Sequence, residues 1–530
     1  MISKLSKSTF LIVFALLMIF AFNLGDLNAP RQGTEGFYLQ ISKEMYRSFD
    51  FLTPTYLNHP HFSKPPMHFW FANLFYSFFG NNLLAARMSV LLLCFYLVFL
   101  ISKILQSLFD IDLSVSLVLF ISNFAFIKYS RIYMMDLPMA LFASLGALYY
   151  YRHWLNQNKR DFLLSALFIS CSAMYKGPVA LAMVFPPIFM FSLLTKRNFF
   201  STIKWFSLIT LLSSSWFIAM GIKHGVEFFN YFFIRENLGK FSSKSYPVSS
   251  LIKGLLLFSF PSAIFLPRHF SRYKSIFITR SDPFALFLIL NFLASYFIWF
   301  IPNQKSFHYA VPGCLYLIIL AIYFSKDSFT KFDQFLEFKA LKIFYILIAF
   351  LLIVLSLFPL FLNWPVPLSV IQISVSICFS ALALIAILLK GFKRQIFAIV
   401  LLGTIPFIST YSIFTFPLIP NYVVEEIDSS SFAAVYAKPY YLSEILNTDI
   451  VPISPDNLQQ YEQNTHYKFL LLSKANFDKY SHSFSGHDIL AQWPTWKRGA
   501  SLTEILSVIK NRDISPILDP YIMLKRRAAN

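Results

Sequence analysis

Apolar runs of about 16–22 residues recur along the first three quarters of this chain, and no other feature limits its fold so tightly. A helix needs about 20 apolar residues to cross the hydrocarbon core of a bilayer. In lipid, every backbone N–H and C=O must also be satisfied within the protein, which favours helices. About thirteen runs are readable, with cores at 8–24, 82–102, 113–127, 137–151, 162–175, 178–194, 202–220, 251–267, 283–301, 309–324, 343–362, 368–389 and 395–414. Of the 530 residues, 57% are hydrophobic and only 13% charged, against about 25% charged in an average soluble domain. A soluble enzyme, a disordered regulator and a secreted disulfide scaffold are thereby excluded. The cysteines (Cys94, Cys171, Cys314, Cys378) all lie in apolar runs without metal-type spacing and read as small packing residues.

The net charge of +19 suggests a nucleic-acid binder until the charges are placed. Arg152, Lys159 and Arg160, then Lys196, Arg197 and Lys204, then Arg272, Lys274 and Arg280 crowd short loops between apolar runs. That is the positive-inside bias of a multi-pass membrane protein, and it removes the need for a nucleic-acid partner. Lys4 and Lys7 place the N-terminus on the same cytoplasmic side. Thirteen crossings then put the C-terminal segment outside. Residues 1–24 also read as a signal peptide, and either reading exports the loop that begins at Gly25.

The spacing predicts a transmembrane domain over 1–418 with three long outer loops, at about 25–80, 221–250 and 302–308. The aromatic run from Phe69 to Phe79 in the first loop suggests interfacial helices. Beyond 418 the composition becomes polar, so 419–530 is expected to form a small soluble α/β domain. Phe469 to Leu472 reads there as a strand and Leu502 to Ile509 as a helix. Outward-facing acids are scarce: Asp26, Glu35, Glu44, Asp50, Asp136, Glu227 and Glu236. Charges sit at run ends and the run centres are almost free of them, whereas a transporter places ionisable groups near the midplane. A cavity at the outer leaflet is therefore expected.

The stretch Gly33-Thr34-Glu35-Gly36-Phe37-Tyr38, followed by Ile41-Ser42-Lys43-Glu44-Met45 and Phe62-Ser63-Lys64-Pro65-Pro66, resembles a known outer loop, as do Phe69-Trp70, Phe79-Gly80 and Arg87. It is the first outer loop of the polyprenyl-phosphate-dependent glycosyltransferases of the GT-C class, family 39. These include bacterial relatives of protein O-mannosyltransferases and the aminoarabinose transferases that modify lipid A. Asp136-Leu137-Pro138, Lys176-Gly177-Pro178, Arg235-Glu236-Asn237 with Lys240-Phe241, and Lys305 through His308-Tyr309 to Pro312 follow in family order. The resemblance implies an all-α polytopic GT-C fold in a bacterial inner membrane, with its active site facing the periplasm. It implies an undecaprenyl-phosphate sugar donor, inversion at the anomeric carbon, and an envelope acceptor such as lipid A, lipopolysaccharide or another glycan. A protein O-mannosyltransferase-type enzyme and a lipid-linked sugar flippase or transporter are the alternatives.

Such a transfer needs a carboxylate to take the acceptor proton and cations to hold the departing phosphate. Glu35 and Asp136 are the candidate carboxylates. Thr34 stands where many relatives have the Asp of an Asp-Glu pair, and a threonine hydroxyl cannot accept a proton at neutral pH. Glu35 is therefore favoured as the base, with Asp136 beside it in the same cavity. Candidate phosphate and substrate ligands are Arg31, Lys64, Arg131, Lys176, Arg235, Lys240, Lys305, His308 and Tyr309. Each has a plain alternative: Asp136 before Leu-Pro suits a helix start, and outward Arg and Lys also snorkel to headgroups. In the lipid A enzyme an acid precedes the Lys-Pro pair and a His stands in a later loop, and both support a bound cation. Here Ser63 and, by approximate alignment, Ser245 occupy those positions, and serine is a poor zinc ligand. No tightly bound cofactor or metal is expected, while a loosely held divalent cation stays compatible.

Overall fold

A computed structural model describes residues 7–27, 34–242, 245–267, 270–326, 339–389, 392–427, 432–435, 439–446, 450–453, 467–497 and 500–527. Lys4, Arg31 and Gly33 lie outside the described residues. Every predicted apolar run contains helix, and the architecture is the expected all-α, multi-pass one. Seven described helices are long and apolar enough to cross a membrane: Leu83–Phe109, Pro178–Thr195, Phe199–Ser242, Pro283–Phe300, Phe307–Phe324, Lys342–Phe361 and Val370–Leu388. The remaining runs form helices that are shorter or more polar, such as Lys7–Ala21 and Lys159–Lys176.

Local chemistry sets the helix ends. Asn82, Asp112 and Asp282 each accept a hydrogen bond from the backbone N–H three residues on, satisfying a donor that the first turn leaves open. Pro178 and Pro283 occupy first-turn positions, where the missing N–H costs nothing. Asp110 and Gln157 close their helices in the left-handed conformation.

The chain falls into two compact units. The first comprises Met1–Leu24, Ile41–Phe344 and Ala386–Thr404. At its centre the helices Asp136–Asn156 and Lys159–Lys176 form an antiparallel hairpin. Ser165 and Ser172 donate across it to the carbonyls of Gly146 and Met139, at 2.7 and 2.9 Å. Short hydroxyl contacts of this kind let two helices pack closely where apolar side chains gain little by leaving lipid. An outer hairpin pairs β1 (Thr55–Tyr56) with β2 (His59–Pro60). Leu57 and Asn58, at its tip, both have positive φ (51° and 62°). The Glu44 carboxylate accepts both their N–H groups, at 2.8 and 3.0 Å, and so stabilises a turn that leucine rarely adopts.

The second unit comprises Gly25–Gln40, Tyr345–Ile385 and Ile405–Asn530. Its five strands are β3 (Phe432–Val435), β4 (Val451–Ile453), β5 (Phe469–Ser473), β6 (His487–Trp493) and β7 (Tyr521–Arg526), in the order β4-β3-β5-β7-β6. β3 runs parallel to β4 and β5, and β7 runs antiparallel to β5 and β6. Ala433, Leu470, Leu472, Ile522 and Leu524 pack with Phe484 into its core. The expected strand at Phe469 and helix at Leu502 are both present, the latter as Leu502–Asn511 behind a Ser501/Glu504 capping box.

Candidate functional site

Two helices joined by a two-residue turn run antiparallel, so the first residue of one lies beside the last of the other. This brings Asp136 to Lys176: Nζ sits 2.5 Å from Oδ1, with the aspartate buried and the lysine side chain 10% exposed. Each also sits at the helix end whose dipole suits its charge. The Lys176 ammonium lies 5.1 Å from the Trp299 ring centroid and 4.8 Å from that of Tyr309, and the two rings stack at 4.2 Å. His308 places Nε2 4.0 Å from the same Asp136 oxygen, while its Nδ1 is 2.8 Å from Ser306 Oγ.

Lys64 and Lys240 make the other half of the cluster. Both ammonium groups contact Glu236 Oε1, Lys240 at 2.8 Å. Glu236 rides on a π-helical segment, Asn230–Leu238, that follows a break at Gly225. Gly177 brings this segment close: it has φ +76°, and a Cβ there would stand 2.8 Å from Phe232 Cζ. A bulkier residue would therefore push the segment away from Lys176. On the far side Asn303 ties the next outer loop in. Its N–H donates to the Lys240 carbonyl at 3.1 Å, and its carbonyl accepts from Tyr246 N–H at 3.0 Å.

Three ammonium groups thus face two carboxylates, which leaves a positive excess, partly shielded from solvent, suited to a phosphate. Burial, and then the neighbouring Lys240 charge, push Lys64 down to about 8, against the pull of Glu236. Burial, with Lys64 nearby, lowers His61 to about 4, so its ring is neutral at physiological pH. That ring is hydrogen-bonded to Ser63.

The structure therefore unites Lys64, Asp136, Lys176, Lys240, His308 and Tyr309. Other expected ligands are engaged elsewhere. The Arg131 guanidinium donates to the carbonyls of Phe20 and Phe22 and closes the end of the first helix. Lys305 donates to Pro302 O at 2.8 Å, within its own loop. Arg235 is exposed, its guanidinium 5.2 Å from the Tyr231 ring centroid. Glu35 belongs to the second unit, fully buried at the start of helix Glu35–Ser48, and Tyr441 donates to its Oε2 at 2.7 Å.

Sequence reasoning missed Glu236 and Trp299 as members of the lysine cluster, and Tyr441 as a partner of Glu35. Glu236 carried a signal, being a scarce acid flanked by Arg235 and Lys240. Tyr441 carried none, because it stands 406 residues from its partner.

The residues beside Lys64 do not fit zinc. Ser63 offers only a hydroxyl, already bonded to His61, and Glu236 is held by two ammonium groups that repel a metal ion. Among the described residues no three His, Cys, Asp or Glu side chains gather into a metal-binding group.

Residues 63–220 match the family described as dolichyl-phosphate-mannose-protein mannosyltransferase. The chain is 29% identical over 238 residues to an uncharacterized protein of Aquifex aeolicus, covering 44% of this chain and 47% of that one. It is 25% identical over 356 residues to the undecaprenyl phosphate-alpha-4-amino-4-deoxy-L-arabinose arabinosyl transferase 2 of Proteus mirabilis, covering 64% of this chain and 62% of that one. These matches span about half to three fifths of the relatives' own lengths. The fold is similar to that of ArnT from Cupriavidus metallidurans in its crystal structure bound to undecaprenyl phosphate. The TM-score is 0.69 at 16% identity, over 92% of this chain and 97% of that one. The resemblance to GT-C transferases and the polytopic fold class expected from the sequence are both borne out.

Proposed function

We propose that this chain, which shares the fold of the lipid-linked aminoarabinose transferases, is a multi-pass membrane glycosyltransferase. It takes a sugar from undecaprenyl phosphate and passes it to an envelope acceptor, a hydroxyl or phosphate of lipid A or another glycan, on the periplasmic face of a bacterial inner membrane. The observation that carries this reading is the partly buried cluster of Lys64, Lys176 and Lys240 around Glu236 and Asp136. Lys64 is the second residue of the family-matched segment, and lysines in a water-poor site neutralise a leaving phosphate far better than they would in bulk water.

In the proposed reaction the acceptor oxygen attacks the anomeric carbon and the bond to the phosphate oxygen breaks. The lysines stabilise the charge that gathers on the departing polyprenyl phosphate. A carboxylate takes the acceptor proton. Lys176 on Asp136 Oδ1 favours the ionised carboxylate and makes it a poor proton acceptor. This supports Glu35 as the base and Asp136 as the anchor of the phosphate-binding lysine. Arg31, Arg235 and Lys305 are left as outer contacts for donor or acceptor headgroups.

Mass spectrometry of envelope lipids and glycans from a deletion strain and its parent tests the proposal. One sugar should disappear from a defined acceptor and return with the plasmid-borne gene. Identical profiles under all growth conditions would refute a transferase role.

A further inference from the structure

A cavity of about 510 Å³ lies within the second unit, between the start of helix Val370–Leu388, the segment after Thr410 and the end of β6. Its volume falls within the roughly 300–1,000 Å³ of small-molecule sites. No Lys, Arg, Asp or Glu lines it. The lining instead offers the amides of Gln372 and Gln492, the hydroxyls of Ser412 and Thr415, and the aromatic rings of Tyr422 and Trp493.

The hydroxyls are already committed, donating to the carbonyls of Ser409 and Ser412 at 2.7 and 2.9 Å. The amides are not: neither has a hydrogen-bond partner among the described residues. Each presents two donors and one acceptor side by side, the complement of a polyol, in which every hydroxyl both gives and takes a proton. Trp493 is fixed by its indole N–H on Leu418 O at 3.2 Å and forms a rigid wall. The Tyr422 ring, by contrast, is 56% exposed and able to cover the C–H face of a sugar ring. Prolines in all three lining segments stiffen the walls and reduce the entropy lost on binding.

We propose that this cavity is a binding site for uncharged saccharide. An anionic headgroup finds no cation in the lining, and an acyl or prenyl chain would strand both amides. The inference stands on the lining alone and holds or fails independently of the transferase reading.

The test uses the full chain in phospholipid nanodiscs, because sugar-headed detergents would compete. Saturation-transfer NMR is run against a panel of neutral gluco-, manno- and galacto-oligosaccharides, with an oligogalacturonide as the charged comparator. At least one neutral oligosaccharide should bind saturably and the oligogalacturonide should not. Binding should weaken at least about tenfold in Tyr422→Ala and in the Gln372→Ala/Gln492→Ala double variant, with thermal unfolding unchanged. It should persist in Glu35→Gln and Lys64→Ala, which separates this cavity from the lysine cluster. Failure of every neutral sugar to bind, equal binding of the oligogalacturonide, or undiminished binding in the cavity variants would overturn the proposal.

Discussion

At the scale of single residues, the two candidate carboxylates differ in what holds them. Asp136 is tied to the Lys176 ammonium, whose charge opposes proton uptake, and Glu35 accepts a hydrogen bond from the Tyr441 phenol. A general base typically contributes about 10²–10⁴ in rate. Glu35→Gln should therefore lose activity on that order, read as the sugar-bearing product, while the protein still inserts and binds donor lipid. Asp136→Asn should lose less, and the reverse ranking would move the base to Asp136. Tyr441→Phe removes one hydrogen bond to a charged acceptor, an interaction worth about 1.5–3 kcal/mol. We expect it to lower kcat by up to about tenfold, with donor KM unchanged. It should have little further effect in a Glu35→Gln background, whereas additive losses would mean that Tyr441 acts elsewhere. Lys64 supplies a pH test. Its ammonium form binds phosphate, and burial lowers it to about 8, so the charge is present below that pH and is lost as pH rises through it. The kcat/KM for donor lipid should fall above about pH 8, and Lys64→Arg, charged throughout, should move that limb upward. A profile flat to pH 10 would place the phosphate elsewhere.

At the scale of elements, the lysine cluster depends on how the outer segments leave the membrane helices. Asp136 and Lys176 were legible as charges at run ends, and their meeting follows from the short hairpin turn between two runs. The Glu236 segment was legible only as an outer loop, because a shift in composition after residue 220 marks the end of an apolar run but not the helical and π-helical backbone that continues through it. Gly225 has φ 61° and ψ −144° inside the helix Phe199–Phe229, a combination close to the glycine-only region. A Cβ there would meet nothing within 4 Å, so the penalty on any other residue is purely conformational, about 1–3 kcal/mol. A helix that straightens to escape this strain carries Glu236 and Lys240 away from Lys64. Gly225→Ala should thus raise the donor KM more than it lowers kcat. A variant with wild-type donor KM would show that the break does not set the cluster. Arg131 teaches the converse: an outward arginine in a family-like position is spent on the backbone of the first helix, a long-range partner that local sequence does not reveal.

At the scale of the whole molecule, the all-α polytopic class was legible because lipid leaves few alternatives to the helix, and apolar length reports each crossing directly. The order of the strands β4-β3-β5-β7-β6 was not legible, since short strands announce themselves by composition but not by pairing partner. Sidedness rests on charge alone, and that makes it the sharpest global test. Lys and Arg are held on the cytoplasmic side during insertion, and the loop around Asn158, with Arg152, Lys159 and Arg160, is among the most basic short loops. The expected topology puts that loop inside, and residues 25–80 and the C-terminal segment outside. Fusions of a reporter that is active only after export should be silent at Gln157 and active at Asp50 and Asp488. The parity of crossings between Asp50 and Asp488 decides the result, so a silent fusion at Asp488 beside a silent one at Gln157 would mean that one of the apolar runs after Lys176 does not cross. The sugar cavity would then face the cytoplasm, where periplasmic glycans cannot reach it. Signal at Gln157 with silence at Asp50 would invert the whole chain and place the lysine cluster on the cytoplasmic face, refuting the proposed periplasmic transfer outright.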